Sequence, residues 1–181
     1  MVLTTQRLRL VPLAASDAPG LHHLFNQRPV RRYLWDDSPV SEQTVAGLIE
    51  ASARSFAGAR YGFWRIALHA LPDALIGFAG LRETPEMGGV ELLYGLEASY
   101  WGRGLATEAA GAVLRYAFDV AGLPEVVAGA DPPNVASFRV MERLGMRADG
   151  EVTAGGRPTR RYRLGRAELA RARFDASRQP S

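Results

Sequence analysis

The densest chemical signal is the run Trp101-Gly102-Arg103-Gly104-Leu105-Ala106-Thr107. Two glycines around an arginine let the chain curl with its N–H groups on one side, and a helical pattern follows at once. Backbone N–H groups at the positive end of a helix dipole bind phosphate or pyrophosphate, and Arg103 can add a charge-assisted hydrogen bond. A tight strand-to-helix turn with no ligand accounts for the glycines equally well. A P-loop is excluded, because it ends on Gly-Lys-Ser/Thr and all 22 basic residues of this chain are arginine. A dinucleotide fingerprint fails at its third glycine, where Thr107 stands, although Asp131 on the next strand suits a ribose. Only one further strand-helix unit follows, too few for a doubly wound sheet.

The elements around this run must hold it in place. Residues 7–12 alternate polar with apolar and predict a strand. Ser16 or Asp17 can cap a helix from Ala18 to Asn26, with Leu21, Leu24 and Phe25 on one face. Residues 28–40 hold Pro29, Pro39 and the cluster Trp35-Asp36-Asp37, and predict a loop. Ser41 opens a helix through Phe56, with Leu48, Ser52 and Phe56 along its buried side. Residues 61–68, 75–81 and 90–96 form three strands of an antiparallel meander, turning at Leu71-Pro72-Asp73 and at 85–89. After the glycine run, Ala110, Val113, Leu114, Ala117, Phe118 and Ala121 make a wide apolar helical stripe that Gly122 ends. Residues 126–130 read as a short buried strand. Asn134 caps a helix with Ser137, Val140, Met141 and Leu144 on one face, stopped by Gly145. Residues 146–152 and 159–164 close the sheet as a hairpin around Gly155-Gly156. The order β-α-α-β-β-β-α-β-α-β-β defines an α+β fold.

At 181 residues and 47% hydrophobic, the chain fits one domain with a real core. We expect a single domain over residues 1–165 and a basic tail over 166–181. No apolar run approaches the roughly 20 residues that span a bilayer. Residues 1–7 lack the layout of a secretory signal, and no cysteine is present for disulfides, thiolate metal sites or a catalytic thiol. A cytoplasmic, metal-free protein is the simplest expectation. From residue 157 onward eight arginines face Glu168 and Asp175, so this end is strongly basic and the rest mildly acidic. Such an end attracts RNA, the ribosome or phosphates, or is simply a solvated strand and tail.

The stretch Tyr100-Trp101-Gly102-Arg103-Gly104-Leu105-Ala106-Thr107-Glu108-Ala109 resembles the pyrophosphate loop of the GNAT acetyltransferase superfamily. It is most similar to the branch typified by bacterial enzymes that acetylate the N-terminal alanine or serine of ribosomal proteins. Asp131-Pro132-Pro133-Asn134-Val135-Ala136-Ser137-Phe138-Arg139-Val140-Met141-Glu142-Arg143-Leu144-Gly145-Met146 resembles that branch's second signature, D-P-x-N-x-x-S-x-x-V-x-E-[KR]-L-G-[FM]. The opening Thr5-x-Arg7-Leu8-x-Leu10-x-Pro12-Leu13 and Arg32-Tyr33-Leu34 look like the same branch, so the resemblance runs over residues 5–164. Trp101 stands where the superfamily often has Gln or Arg, and is usual within the branch.

The resemblance implies a mixed, mostly antiparallel sheet flanked by helices, with a V-shaped opening between the strands at 90–96 and 126–130. It implies acetyl-coenzyme A (acetyl-CoA) as co-substrate, without a metal, and direct attack of a primary amine on the thioester. Trp101, Gly102, Arg103, Gly104, Leu105, Ala106 and Thr107 would hold the pyrophosphate. The pantetheine arm would pair with strand 90–96, its acetyl carbonyl facing an N–H near Gly95 or Leu96. Asn134 would contact that arm, which its role as a helix cap allows, since a cap oxygen leaves the amide nitrogen available. Ser137 would hydrogen-bond the sulfur and stabilise or protonate the departing thiolate. Arg139 and Arg143 would reach the adenosine phosphate, or are ordinary solvated helix residues.

The attacking amine must be neutral, so a base or a water path to one is useful. Glu91 is the first candidate, matching a glutamate common in the branch; an ion-paired strand residue is the other reading. Glu97 is second, with a solvated loop carboxylate as its alternative, and His22, His23 and His69 read as surface or capping residues. For the acceptor, Trp35, Asp36 and Asp37 place an aromatic beside carboxylates, which suits a cationic amine as well as it suits a plain polar loop. Tyr94 is a core residue or a substrate contact. The expected acceptor is a peptide or protein N-terminus, with a polyamine, amino acid or aminoglycoside as the alternative. A non-catalytic module that senses acyl-CoA or docks on RNA is the competing class. Membrane is not an expected partner, nucleic acid only through proximity to the ribosome, and the sequence is compatible with a monomer or a homodimer.

Overall fold

Leu8 and Leu10 are fully buried while Arg9 between them faces water, and this alternation builds the strand Leu8–Pro12 into the sheet. In the computed structural model, which describes residues 1–169, the elements are β1 (Leu3–Thr4), β2 (Leu8–Pro12), α1 (Ala18–Asn26), α2 (Arg28–Leu34), α3 (Glu42–Ala59), β3 (Phe63–Leu68), β4 (Gly77–Thr84), β5 (Gly89–Leu96), α4 (Leu105–Asp119), β6 (Glu125–Ala130), α5 (Val135–Arg143), β7 (Arg147–Ala154) and β8 (Arg157–Gly165). The strands form one open sheet in the order β1-β2-β3-β4-β5-β6-β8-β7. Every pair is antiparallel except β5–β6. Residues 170–181 of the expected tail lie outside the described residues.

The two faces of the sheet carry separate cores. On one, the α4 stripe (Leu105, Ala109, Val113, Ala117) packs with Trp64, Ile66, Leu81, Leu92, Val126 and Leu164. On the other, Leu21, Leu24 and Phe25 of α1 and Val45 and Ile49 of α3 pack on Phe63 and Phe78. Phe78 meets Phe25 edge-on at 5.3 Å, a favoured aromatic geometry. Ser41 caps α3 as expected, its hydroxyl accepting the Thr44 N–H at 3.1 Å.

The region expected as a loop over 28–40 contains α2. Pro29 sits in its first turn, where a missing N–H costs no intrahelical bond and the fixed φ suits the helix, so the proline starts a helix here rather than breaking one. The buried side of α3 also differs: Val45, Ile49 and Ser52 are buried, while Leu48 and Phe56 are only partly covered. Ser52 is buried because its hydroxyl accepts the Phe63 N–H at 2.8 Å.

One joint in the sheet is weak. β4 and β5 pair over eight positions, and β6 and β8 over six, but β5 and β6 pair only at Glu91↔Val127. Beyond Glu91 the two strands diverge, which is the V-shaped opening.

Candidate active site

Gly102 and Gly104 have φ of +73° and +75°, the left-handed conformation that a side chain disfavours. Arg103 between them is not left-handed, so the backbone alternates as in an anion-binding nest. Gly104 is the N-cap of α4, and no side chain caps the helix. The first intrahelical bond runs from the Glu108 N–H to the Gly104 carbonyl at 3.1 Å, so the amides of Leu105, Ala106 and Thr107 precede it. The Thr107 hydroxyl oxygen is buried without a hydrogen-bond partner. Uncapped amides, a nest and an unmet hydroxyl at one helix start suit a polyanion. Arg103 is exposed, its guanidinium over the Tyr100 ring at 5.6 Å.

Trp101 is half exposed, yet its Nε1–H donates to the Leu96 carbonyl at 2.8 Å, tying the loop to the end of β5. The Glu97 N–H donates to the Ile76 carbonyl at 2.9 Å, toward β4. Strand alternation then turns the N–H and C=O of Tyr94 and Leu96 away from β4, into the opening, and those of Gly95 toward β4. Of the two expected carbonyl-polarising amides, Leu96 faces the opening and Gly95 does not.

Across the opening, Asn134 Oδ1 accepts the Ser137 N–H at 3.2 Å as the cap of α5. Both residues are partly exposed, so Ser137 lies at the edge of the core rather than inside it. The Tyr94 hydroxyl donates to the Ser137 carbonyl at 3.2 Å, a strut from β5 to α5. Burial raises the Tyr94 phenol far above its ordinary range, beyond what its hydrogen bond to Ser137 offsets, so it stays a donor near neutrality. Arg139 is exposed on α5.

The structure does not gather the acceptor candidates on one face. Tyr94 packs with the α4 side, whereas Trp35 packs with the α1–α3 side, its ring 5.2 Å from Phe25. The Trp35 Nε1 is buried and unpaired. Asp36 and Asp37 adopt φ of +52° and +58°, unusual outside glycine. Asp36 receives Arg157 NH1 from the tip of the β7–β8 hairpin at 2.5 Å, and Arg157 NH2 also lies 3.7 Å from Asp131. Arg157 thus links the acidic loop to the approach of α5.

Glu91 is 6% exposed and sits at the narrow end of the opening. Its Oε2 accepts from Arg82 Nε at 3.0 Å and from the Thr84 hydroxyl at 3.1 Å, with Arg82 NH2 at 2.9 Å. His22 and His69 each bond a backbone carbonyl, of Val40 at 2.9 Å and of Thr5 at 3.0 Å, while His23 is exposed. Glu97 is half-buried just beyond β5.

Arg7, Glu108 and Arg157 join this region without having been singled out for it from sequence, and so does Asp131, there weighed only as a ribose contact. Glu108 lies in the first turn of α4 and pairs with Arg7 NH2 at 2.6 Å. Burial pushes its carboxyl up, but bonds from Thr5 and Arg7 and the Arg7 charge outweigh this and hold it below the usual range. For Glu108 and Asp131 the available signal was a charge inside each signature, for Arg7 its place in the opening Thr5–Leu13 stretch, and for Arg157 there was none.

A mixed open sheet parted between two parallel strands, with an uncapped helix start beside the gap, defines an acyltransferase fold. The chain belongs to the GNAT acetyltransferase family: the family model "Acetyltransferase (GNAT) domain" matches residues 7–147. The family transfers the acetyl group of acetyl-CoA. The uncharacterized N-acetyltransferase YoaA of Bacillus subtilis is 26% identical over 151 residues, covering 82% of this chain and 84% of that protein. A shorter match, 42% over 52 residues, is to the uncharacterized N-acetyltransferase YnaD of the same bacterium and spans 29% of this chain and 31% of that one. A solved acetyltransferase from Agrobacterium tumefaciens superimposes with a TM-score of 0.79 at 29% identity, over 91% of this chain and 94% of that one. The ribosomal alpha-N-protein acetyltransferase RimL, solved in complex with coenzyme A, shares the fold at TM-score 0.75 and 17% identity, over 91% and 98% of the two chains. Among the described residues no helix is long and apolar enough to cross a membrane.

Proposed function

We propose that this chain moves the acetyl group of acetyl-CoA to a primary amine, with a peptide or protein N-terminus as acceptor, acting through one catalytic domain over residues 1–165. The observation that carries this is the uncapped start of α4, with its two left-handed glycines and unmet Thr107 hydroxyl, beside the gap between β5 and β6. Bound acetyl-CoA supplies a thioester that an amine can attack directly. The loop 101–107 holds the pyrophosphate by backbone N–H groups, with Arg103 able to swing from the Tyr100 ring to a phosphate oxygen. The Leu96 N–H donates to the carbonyl oxygen as it gains negative charge, and Asn134 and Ser137 line the other wall. The nitrogen forms its bond to the acetyl carbon, the carbon–sulfur bond breaks, the nitrogen gives up a proton and the sulfur gains one. Ser137 delivers that proton as a relay, its hydroxyl taking one back from water. Arg139, exposed on α5, is available to the adenosine phosphate.

Glu91, pinned by Arg82 and Thr84, serves best as a fixed negative charge, with water carrying the amine's proton toward it. Asp36 and Trp35 border the acceptor side, where Arg157 already occupies the carboxylate that an ammonium group would seek. What supports a peptide acceptor is the Asp131–Met146 signature together with the Tyr100–Ala109 loop.

The test is thiol release from acetyl-CoA with peptides, polyamines and aminoglycosides offered in parallel. Release with peptides carrying a free N-terminus, and none once that amine is blocked, is the expected result. Release with the small amines alone would reassign the acceptor, and none with any amine would favour a sensing module. Ser137→Ala is expected to slow turnover by about a hundredfold or more, in the range of a lost general acid, while coenzyme A affinity measured by calorimetry changes little. An equal loss in both would make Ser137 a structural residue.

A further inference from the structure

The acetyl transfer outlined above leaves Thr5, Arg7 and Glu108 without a role, although they make the densest polar cluster near the loop. Glu108 Oε1 accepts the Thr5 hydroxyl at 2.6 Å and the Arg7 backbone N–H at 2.8 Å. Glu108 Oε2 accepts Arg7 Nε at 2.7 Å. The same guanidinium reaches on with NH1 to the carbonyl of Arg103 at 3.0 Å. Its NH2 lies 3.7 Å from where a Cβ on Gly104 would stand. One arginine therefore grips the first turn of α4 and the glycine loop together.

Two physical consequences follow. In a planar trans peptide the C=O and the following N–H point in opposite directions, so tying the Arg103 carbonyl to Arg7 fixes where the Gly104 N–H points. A carboxylate in the first turn of α4 would repel a polyanion held at that helix start, and the Arg7 charge cancels it. An ordinary surface pair does neither, and holds its partner loosely. Here the Glu108 side chain is only 16% exposed and saturated by donors from the β1–β2 region.

We propose that Arg7 is a positioning residue for the pyrophosphate loop, orienting its Arg103–Gly104 peptide and neutralising Glu108, so that the loop is set before the co-substrate arrives. The proposal rests on the reading that residues 101–107 hold the pyrophosphate of acetyl-CoA.

The experiment compares wild type, Arg7→Met and Arg7→Lys by calorimetry with coenzyme A, and by kinetics with two donors. Acetyl-CoA carries the pyrophosphate; S-acetylpantetheine does not. Arg7→Met is expected to weaken coenzyme A binding and raise the acetyl-CoA KM by about tenfold, the scale of one charge-assisted hydrogen bond. Turnover at saturation, and kcat/KM with S-acetylpantetheine, should stay within about twofold of wild type, since only binding of the pyrophosphate end is lost. Arg7→Lys keeps the charge without the planar fork and should fall between. An unchanged coenzyme A affinity in Arg7→Met, or equal losses with both donors, overturns the proposal; equal losses are what a misfolded variant would give. Calorimetry needs no acceptor. A wild type that binds coenzyme A yet acetylates nothing would sink the acceptor reading alone, with the affinity comparison still deciding the role of Arg7. A wild type that binds no coenzyme A overturns both.

Discussion

Gly104→Glu is expected to abolish coenzyme A binding. Gly104 sits at φ +75°, so any side chain there strains the backbone, by roughly 1 kcal/mol on the scale of left-handed residues. Charge does more. The new carboxylate enters at the N-cap of α4, where an anion already satisfies the helix dipole and excludes a second one. It also stands within reach of Arg7 and competes with Glu108 for the guanidinium. Gly104→Ala carries the strain without the charge and separates the two terms. We expect a loss of up to about tenfold in affinity for alanine, to the extent that the free loop relaxes out of the strained conformation and must be driven back on binding. For glutamate we expect no detectable heat of binding. Unchanged affinity in the glutamate variant would remove the basis for placing the pyrophosphate at this loop.

The second large effect concerns one hydrogen atom. The Leu96 N–H faces the opening rather than β4, so Leu96→Pro deletes it without breaking a bond of the β4–β5 ladder. Leu96 is buried, and its side chain packs close over Gly77, so the substitution also loses apolar contact. Leu96→Ala loses that contact and keeps the N–H. Measured against Leu96→Ala, Leu96→Pro should lower kcat by about a hundredfold or more, the scale for removing an oxyanion donor. Coenzyme A affinity should differ little between the two. Matching rates in both variants would mean that the thioester carbonyl takes its hydrogen bond elsewhere.

What was legible in the sequence is what local chain chemistry demands. The glycines at 102 and 104 must be contiguous with the helix they open, so a short run displays them. The α4 stripe repeats with the helical period, and Asn134 caps the helix that it precedes. Pro29 misled because its effect depends on where a helix starts: inside one it breaks hydrogen bonds, in the first turn it breaks none. Contacts made across the fold left no local trace. Arg7 meets Glu108 across 101 residues, and Arg157 meets Asp36 across 121. The partners of Glu91 are closer, on the neighbouring strand, but their convergence on one oxygen depends on the register of β4 against β5.

The single rung between β5 and β6 has a bearing on how such a protein can diversify. With one register position between the two halves of the sheet, their relative tilt is set less by the ladder than by what is wedged beneath it, chiefly the α4 stripe shared by both halves. Ala109, Val113 and Ala117 are fully buried, yet a methyl group gained or lost there would change the angle of the gap. Selectivity in this architecture can therefore drift through buried volume alone, leaving every polar residue of the cleft untouched.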